Sequence, residues 1–167
     1  MSFEVVKHKV KKAIRKLRNQ DSFLIDADTN ERTISHKLAE YLQEEFPKLN
    51  VDCEYNRHGT DIKKLNTIII TNKVGLYDIE AKTIFPDIII HERNTDNRNL
   101  LVIEVKKSSN RRGHQLDKTK LGLLTKDDYR YHFGLFLELS MSDTNDVLEW
   151  YANGWVLYEQ NNKSEAD

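Results

Sequence analysis

Pro86-Asp87-Ile88-Ile89-Ile90-His91, then Glu92-Arg93-Asn94-Thr95-Asp96-Asn97-Arg98-Asn99, then Leu100-Leu101-Val102-Ile103-Glu104-Val105-Lys106 follow one another in the middle of the chain. Two aliphatic, β-branched runs flank a polar, turn-rich connector, which predicts a β-hairpin with a loop of roughly six to eight residues. A hairpin symmetric about Thr95 and Asp96 sets Asp87 opposite Glu104, and directly opposed Cβ atoms lie about 4.5–5.5 Å apart. Side chains alternate faces along a strand, so Glu104 and Lys106 point the same way. Two carboxylates and one ammonium are expected to converge at one end of the two-stranded unit.

Directly opposed like charges weaken a strand pair. A bound cation removes that cost, and Mg²⁺ suits the groups available, since it takes oxygen ligands and is often held by one or two carboxylates plus substrate phosphates. An ordinary hairpin with a surface Asp87 and a Glu104–Lys106 charge pair is the other reading. Glu and Lys inside so apolar a run argue against it.

Pro86-Asp87 followed by Glu104-Val105-Lys106 resembles the signature of the PD-(D/E)xK nuclease superfamily, the restriction-endonuclease-like group that includes Holliday-junction resolvases and lambda exonuclease. The resemblance is strongest over 86–106 and extends over roughly 28–140. It implies an α/β fold with a mixed central β-sheet flanked by helices, to which an N-terminal helix and residues 66–85 are additions. It also implies metal-dependent hydrolysis of phosphodiester bonds in nucleic acid, expected to be DNA. Asp87 and Glu104, with the main-chain carbonyl of Val105, would bind Mg²⁺, for which Mn²⁺ can substitute. Lys106 would orient the attacking water and stabilise charge in the transition state. In this superfamily a glutamate of the first core helix often joins the metal site, and Glu31 is the candidate here. A non-catalytic nucleic-acid-binding or assembly module on the same fold is the alternative, and an intact Asp-Glu-Lys set counts against it. Nucleases of this kind often dimerise to cut both strands, so a homodimer is open, although no segment identifies an interface.

The chain has 167 residues, enough for one domain with a real core. The expected division is a helical extension over 1–27, a core over 28–140, an edge over 141–160 and a polar tail over 161–167. With 26 basic and 27 acidic side chains the net charge is −1, so nucleic-acid binding must come from local clustering. Cys53 is the only cysteine, which rules out an intrachain disulfide and fits a reducing compartment. There is no apolar run of membrane-spanning length and no apolar signal core, so a cytoplasmic location without membrane association is expected.

Phe3 to Arg18 has helical spacing of Val6, Val10, Ile14 and Leu17, and its polar face is crowded with cations. Lys9, Lys12 and Lys16 are read either as phosphate contacts or as a solvated face. Asn19 to Asp28 is predicted to be a connector, and a second helix is predicted from about Thr29 to Phe46. Glu31 falls on that helix's apolar stripe, which favours a partner in the interior; Asp28-Thr29-Asn30-Glu31 also reads as a capping box. Val51 to Arg57 and Thr67 to Ile70 read as strands. The polar loop Lys107 to His114 carries Arg111, Arg112 and His114, which either grip a phosphate or are solvated. A helix from roughly Gln115 to Leu124 carries Lys120, read as a substrate contact or as helix surface. Tyr129 to Leu139 is predicted to be a strand whose tyrosines pack in the core rather than stack on bases. Asn153-Gly154, between the apolar segments of 146–160, is a hairpin signal.

Overall fold

The computed structural model describes residues 1–55, 57–58, 61–62, 64–70, 77–83, 85–95, 97–110, 113–126, 129–142 and 145–157. Among the described residues three helices, α1 (Phe3–Asp26), α2 (Glu31–Glu45) and α3 (His114–Leu124), accompany ten strands. Six of these make the main sheet: β1 (Asn50–Cys53), β6 (Ile88–His91), β7 (Leu101–Lys107), β8 (Phe133–Leu139), β9 (Val147–Ala152) and β10 (Trp155–Leu157), in the order β1-β6-β7-β8-β9-β10. The predicted α/β architecture with a mixed sheet flanked by helices is what forms. Neighbouring strands are antiparallel except β7 and β8, which run parallel and are joined through α3. A parallel pair needs such a crossover, because a tight turn cannot return the chain to the same end of the sheet.

The central hairpin has the register read from the sequence. Ile88 pairs with Ile103, Ile89 with Val102 and Ile90 with Leu101. Ile88, Ile90, Leu101, Ile103, Val105, Leu135 and Leu137 pack against Val10, Ile14 and Leu17 of α1 and Ile34, Leu38 and Leu42 of α2. Ile89, Val102 and Phe136 face the other way, against Leu121 and Leu124 of α3 and the buried Tyr129 and Tyr131. Both faces of the middle strands are therefore covered, which is why β6 is buried at all four positions and reads as a continuous apolar run instead of an alternation.

Several boundaries differ from the sequence reading. α1 continues through the predicted connector to Asp26, with a break at Asp21 (φ −131°, ψ 32°); the fully buried Ile25 anchors the added turns. α2 starts at Glu31 because the Asn30 side chain accepts the Arg32 N–H at 2.9 Å, so the cap is Asn30 and not the Asp28 box. β1 stops at Cys53, beyond which Glu54 has a positive φ of 49°. The strand expected from Tyr129 begins at Phe133, its preceding tyrosines being core residues. Between β1 and β6, β2 (Arg57–His58) pairs with β3 (Asp61–Ile62), and β4 (Lys64–Ile70) pairs with β5 (Tyr77–Thr83), as two separate two-stranded sheets. The Asn153-Gly154 turn is present, with φ of 52° and 86°, as a two-residue hairpin between β9 and β10 requires. Among the described residues no helix is long and apolar enough to cross a membrane.

Candidate active site at the carboxyl end of β7

Asp87 lies one residue before β6, and the Ile88–Ile103 pairing makes Glu104 its opposite number. The chain is held there from both sides: the Glu54 N–H donates to the Asp87 carbonyl at 3.2 Å, and the Val105 N–H donates to Asp87 Oδ2 at 2.7 Å. Glu104 is 2% exposed, on the α3 face of β7 together with Val102 and Lys106. Its Oε1 has no hydrogen-bond partner, and Lys120 Nζ stands 3.8 Å from it.

Asp117, one turn into α3 and 4% exposed, joins the two lysines. Lys106 Nζ is 3.1 Å from its Oδ2, and Lys120 Nζ donates to its Oδ1 at 2.7 Å. From the opposite side α2 delivers Glu31. Its Oε1 accepts from the Lys107 N–H at 3.2 Å and from Asn110 Nδ2 at 3.0 Å, and its Oε2 lies 3.7 Å from Lys106 Nζ. Glu31 thus reaches the end of β7 rather than its own helix start.

Four carboxyl groups (Asp87, Glu104, Asp117, Glu31) face two ammonium groups (Lys106, Lys120). Burial, reinforced by the charge of Asp87, pushes the Glu104 carboxyl well above the usual range. Burial also raises Asp87, against the Val105 N–H and Lys106. Both lysines go upward despite burial, Lys106 chiefly through Asp117 and Lys120 through Glu104 and Asp117. The cluster therefore holds more carboxyl groups than ammonium groups, an imbalance that a bound cation would offset.

Among the described residues no three His, Cys, Asp or Glu side chains converge as a metal-binding group. The pair Asp87 and Glu104 nonetheless fits a hard divalent cation. Both donors are carboxyl oxygens, one of them is buried without a hydrogen bond, and Mg²⁺ characteristically takes one or two carboxylates and completes its shell with water and phosphate. A cavity of about 210 Å³, lined by Arg32, Ser35, His36, Cys53, Glu54 and Asp87, opens beside Asp87.

The structure brings Asp87, Glu104, Lys106, Glu31 and Lys120 together, with Val105 tied to Asp87. Lys120 belongs to this cluster and not to plain helix surface. Lys107 faces away and bonds Asp28 Oδ1 at 2.6 Å and the Thr29 carbonyl at 2.9 Å, holding the entry to α2. His114 is adjacent but occupied: Nε2 is 2.7 Å from the Asn110 carbonyl, and the ring packs edge-on against Phe136. Lys9, Lys12 and Lys16 lie elsewhere. Lys9 donates to the Glu45 carbonyl and covers the Phe46 ring, Lys12 pairs with Glu45 at 2.7 Å, and Lys16 pairs with Glu44. These partners are at the end of α2 remote from Glu31, about 20 Å away along a 15-residue helix. Arg111 and Arg112 lie outside the described residues. The sequence reading gave no role to Asp117 and Asn110. The Asp117-x-x-Lys120 spacing on the helix after the Glu-x-Lys strand was the available signal for the first, because residues three apart share a helix face.

The chain matches no family model, no curated protein and no solved structure among those with which it was compared.

Proposed function

We propose that this chain is a metal-dependent nuclease of the PD-(D/E)xK kind, hydrolysing phosphodiester bonds in nucleic acid, with DNA the expected substrate. The observation that carries this reading is the pairing of half-buried Asp87 with buried Glu104 beside Lys106, with one Glu104 oxygen left without a hydrogen bond. Leaving aside the separate β2–β3 and β4–β5 pairs, the order α2-β1-β6-β7-α3-β8, with β7 parallel to β8, gives a mixed sheet flanked by helices, which is compatible with this reading.

In this reading Asp87, Glu104 and the Val105 carbonyl would hold Mg²⁺ or Mn²⁺, which would supply Lewis acidity toward the phosphate and acidify the attacking water. Lys106 is 3.1 Å from Asp117 and stays protonated. A protonated ammonium has three donors and no lone pair, so Lys106 serves as a hydrogen-bond donor to water and phosphate oxygen and not as the base. Asp117 and Glu31 orient it from two elements, which limits its motion as charge develops on the phosphoryl oxygens. Lys120 balances Glu104.

The test is cleavage of supercoiled, linear and single-stranded DNA, and of RNA, with and without MgCl₂. Mg²⁺-dependent products are expected from the wild type, together with calorimetric metal binding that Asp87→Ala and Glu104→Ala both abolish. Unchanged metal binding in both variants rejects the site. The second reading, a non-catalytic nucleic-acid-binding or assembly module, draws on the mutual pairing of Lys106 and Lys120 with Asp117. Binding without Mg²⁺-dependent cleavage favours it.

A further inference from the structure

Most cations of α1 already have partners, Lys7 lying over the Phe3 ring. Lys9, Lys12 and Lys16 have the Glu45 carbonyl and the Glu45 and Glu44 carboxylates, and Arg18 is held by Asp146 and the Ser140 carbonyl. His8, Lys11 and Arg15 are a different row. They lie three and four residues apart, so they follow one helix face, and all three are exposed. Among the described residues their side chains have no hydrogen bond or ion pair. With Ile14, Asp146 and Leu148 they line an open groove of about 510 Å³ between α1 and the start of β9. Asp146 contributes little free negative charge, being clamped by Arg18.

The groove opens at the same end of the sheet as the candidate site but on the α1 face, so a strand leaving the site reaches it around the ends of β8 and β9. Lys106 pairs with Glu138 of β8, and Glu138 pairs with Val147, so the head of β9 is two strands across from Lys106. At about 4.8 Å per strand that is about 10 Å. From Arg15 the row continues back to His8 over about 10 Å of helix, a length that spans about three phosphates of one strand. The wall is cationic and the floor is Ile14 and Leu148, which suits a polyanion whose charges repeat along a line.

We propose that the His8–Lys11–Arg15 face of α1, and not the Lys9–Lys12–Lys16 face, tracks the phosphate backbone of nucleic acid extending from the Asp87–Glu104 site. The choice of ligand rests on the nuclease reading, but the test separates the two. Affinity of the full-length protein for a fluorescein-labelled 20-base-pair DNA, and for one of its strands, is measured in EDTA across a salt series. Each lost phosphate contact lowers the slope of log K against log salt by about 0.9 on duplex and about 0.7 on a single strand. Lys11→Ala/Arg15→Ala should lower it by about two contacts' worth, and Lys11→Glu/Arg15→Glu should weaken binding further, with melting temperatures near the wild type because both residues are exposed. Lys12→Ala/Lys16→Ala should leave the slope unchanged and lower the melting temperature. A slope unaltered in the first pair, an equal loss in both pairs, no wild-type binding to DNA, or binding no tighter than to phosphatidylserine vesicles overturns the proposal. Cleavage that survives with an unaltered slope rejects the groove and leaves the nuclease reading standing. Groove-dependent binding without cleavage does the reverse.

Discussion

Glu104 ties the chemistry of the site to the stability of the fold. Its pKa, and that of Asp87, is higher in the folded chain than in the unfolded one, through burial first. Such a group contributes its full stability below the unfolded value of about 4.3 and loses it as pH rises through the folded value. Asp52 and Glu149, held low by Arg93 and Lys118 despite burial, act at pH below about 4, outside that window. The urea midpoint of the metal-free protein should therefore fall from pH 5 to pH 8. Glu104→Gln should flatten the fall, and MgCl₂ should reverse it. A wild-type midpoint that climbs over the same interval contradicts the assignment. Lys106 and Lys107 divide the roles by strand face. Lys106→Ala and Lys106→Met should each lower turnover about 10²–10³-fold, the scale of losing one transition-state donor, while keeping DNA binding. Lys107→Ala removes bonds to Asp28 and Thr29, so a lower melting temperature with near-normal turnover is expected. The opposite pattern, a dead Lys107 variant and an active Lys106 variant, means that the site is built on the other face. Asp87, Glu104 and Lys106 were legible in the sequence because hairpin register and strand alternation are local rules. Asp117 was not, since its place depends on how the α3 crossover lands on the sheet.

At the level of elements, local pattern and tertiary packing disagreed in identifiable places. Asn19-Gln20-Asp21-Ser22 is poor in strong helix formers and reads as a connector, yet burial of Ile25 and the Tyr41 hydroxyl bond to Asp21 extend α1 over it. The one-sided charge of α1 suggested an outward function for Lys9, Lys12 and Lys16, whereas the acidic end of α2 absorbs them, a pairing that single-helix periodicity cannot reveal. The β9–β10 hairpin was fully legible because Asn-Gly carries its own backbone preference. Gly154 is doubly constrained: φ is +86°, and an added Cβ would fall 2.6–2.7 Å from carbons of the Lys126 side chain. Gly154→Ala should cost about 1–2 kcal/mol from the left-handed backbone alone, and Lys126 must also move. Thermal denaturation checks this; an unchanged melting point means that the turn can re-form without a glycine.

For the molecule as a whole, a mixed sheet flanked by helices was expected from the resemblance carried by 86–106, and the apolar strand runs agree with a sheet covered on both faces. Residues 66–85 were expected as additions to the core, and β4 and β5 do pair outside the main sheet; the short β2–β3 pairing was not foretold, because two residues a strand carry no distinctive periodicity. The parallel β7–β8 pair has one more consequence, and it concerns time. Asp87 and Glu104 meet in a hairpin of short sequence span, but Asp117 and Lys120 can reach them only after α3 has crossed over and β8 has docked. Pairings of larger sequence separation cost more loop entropy and form more slowly. On that ordering the two carboxyls crowd together before either α3 partner arrives. Refolding of the metal-free chain, followed by stopped-flow tryptophan fluorescence, should quicken with Glu104→Gln and with added Mg²⁺, most of the stability gained appearing in the folding rate and little in unfolding. Equal folding rates with a slower unfolding arm would mean that the crossover closes first and the acidic pair is the last part of the protein to assemble.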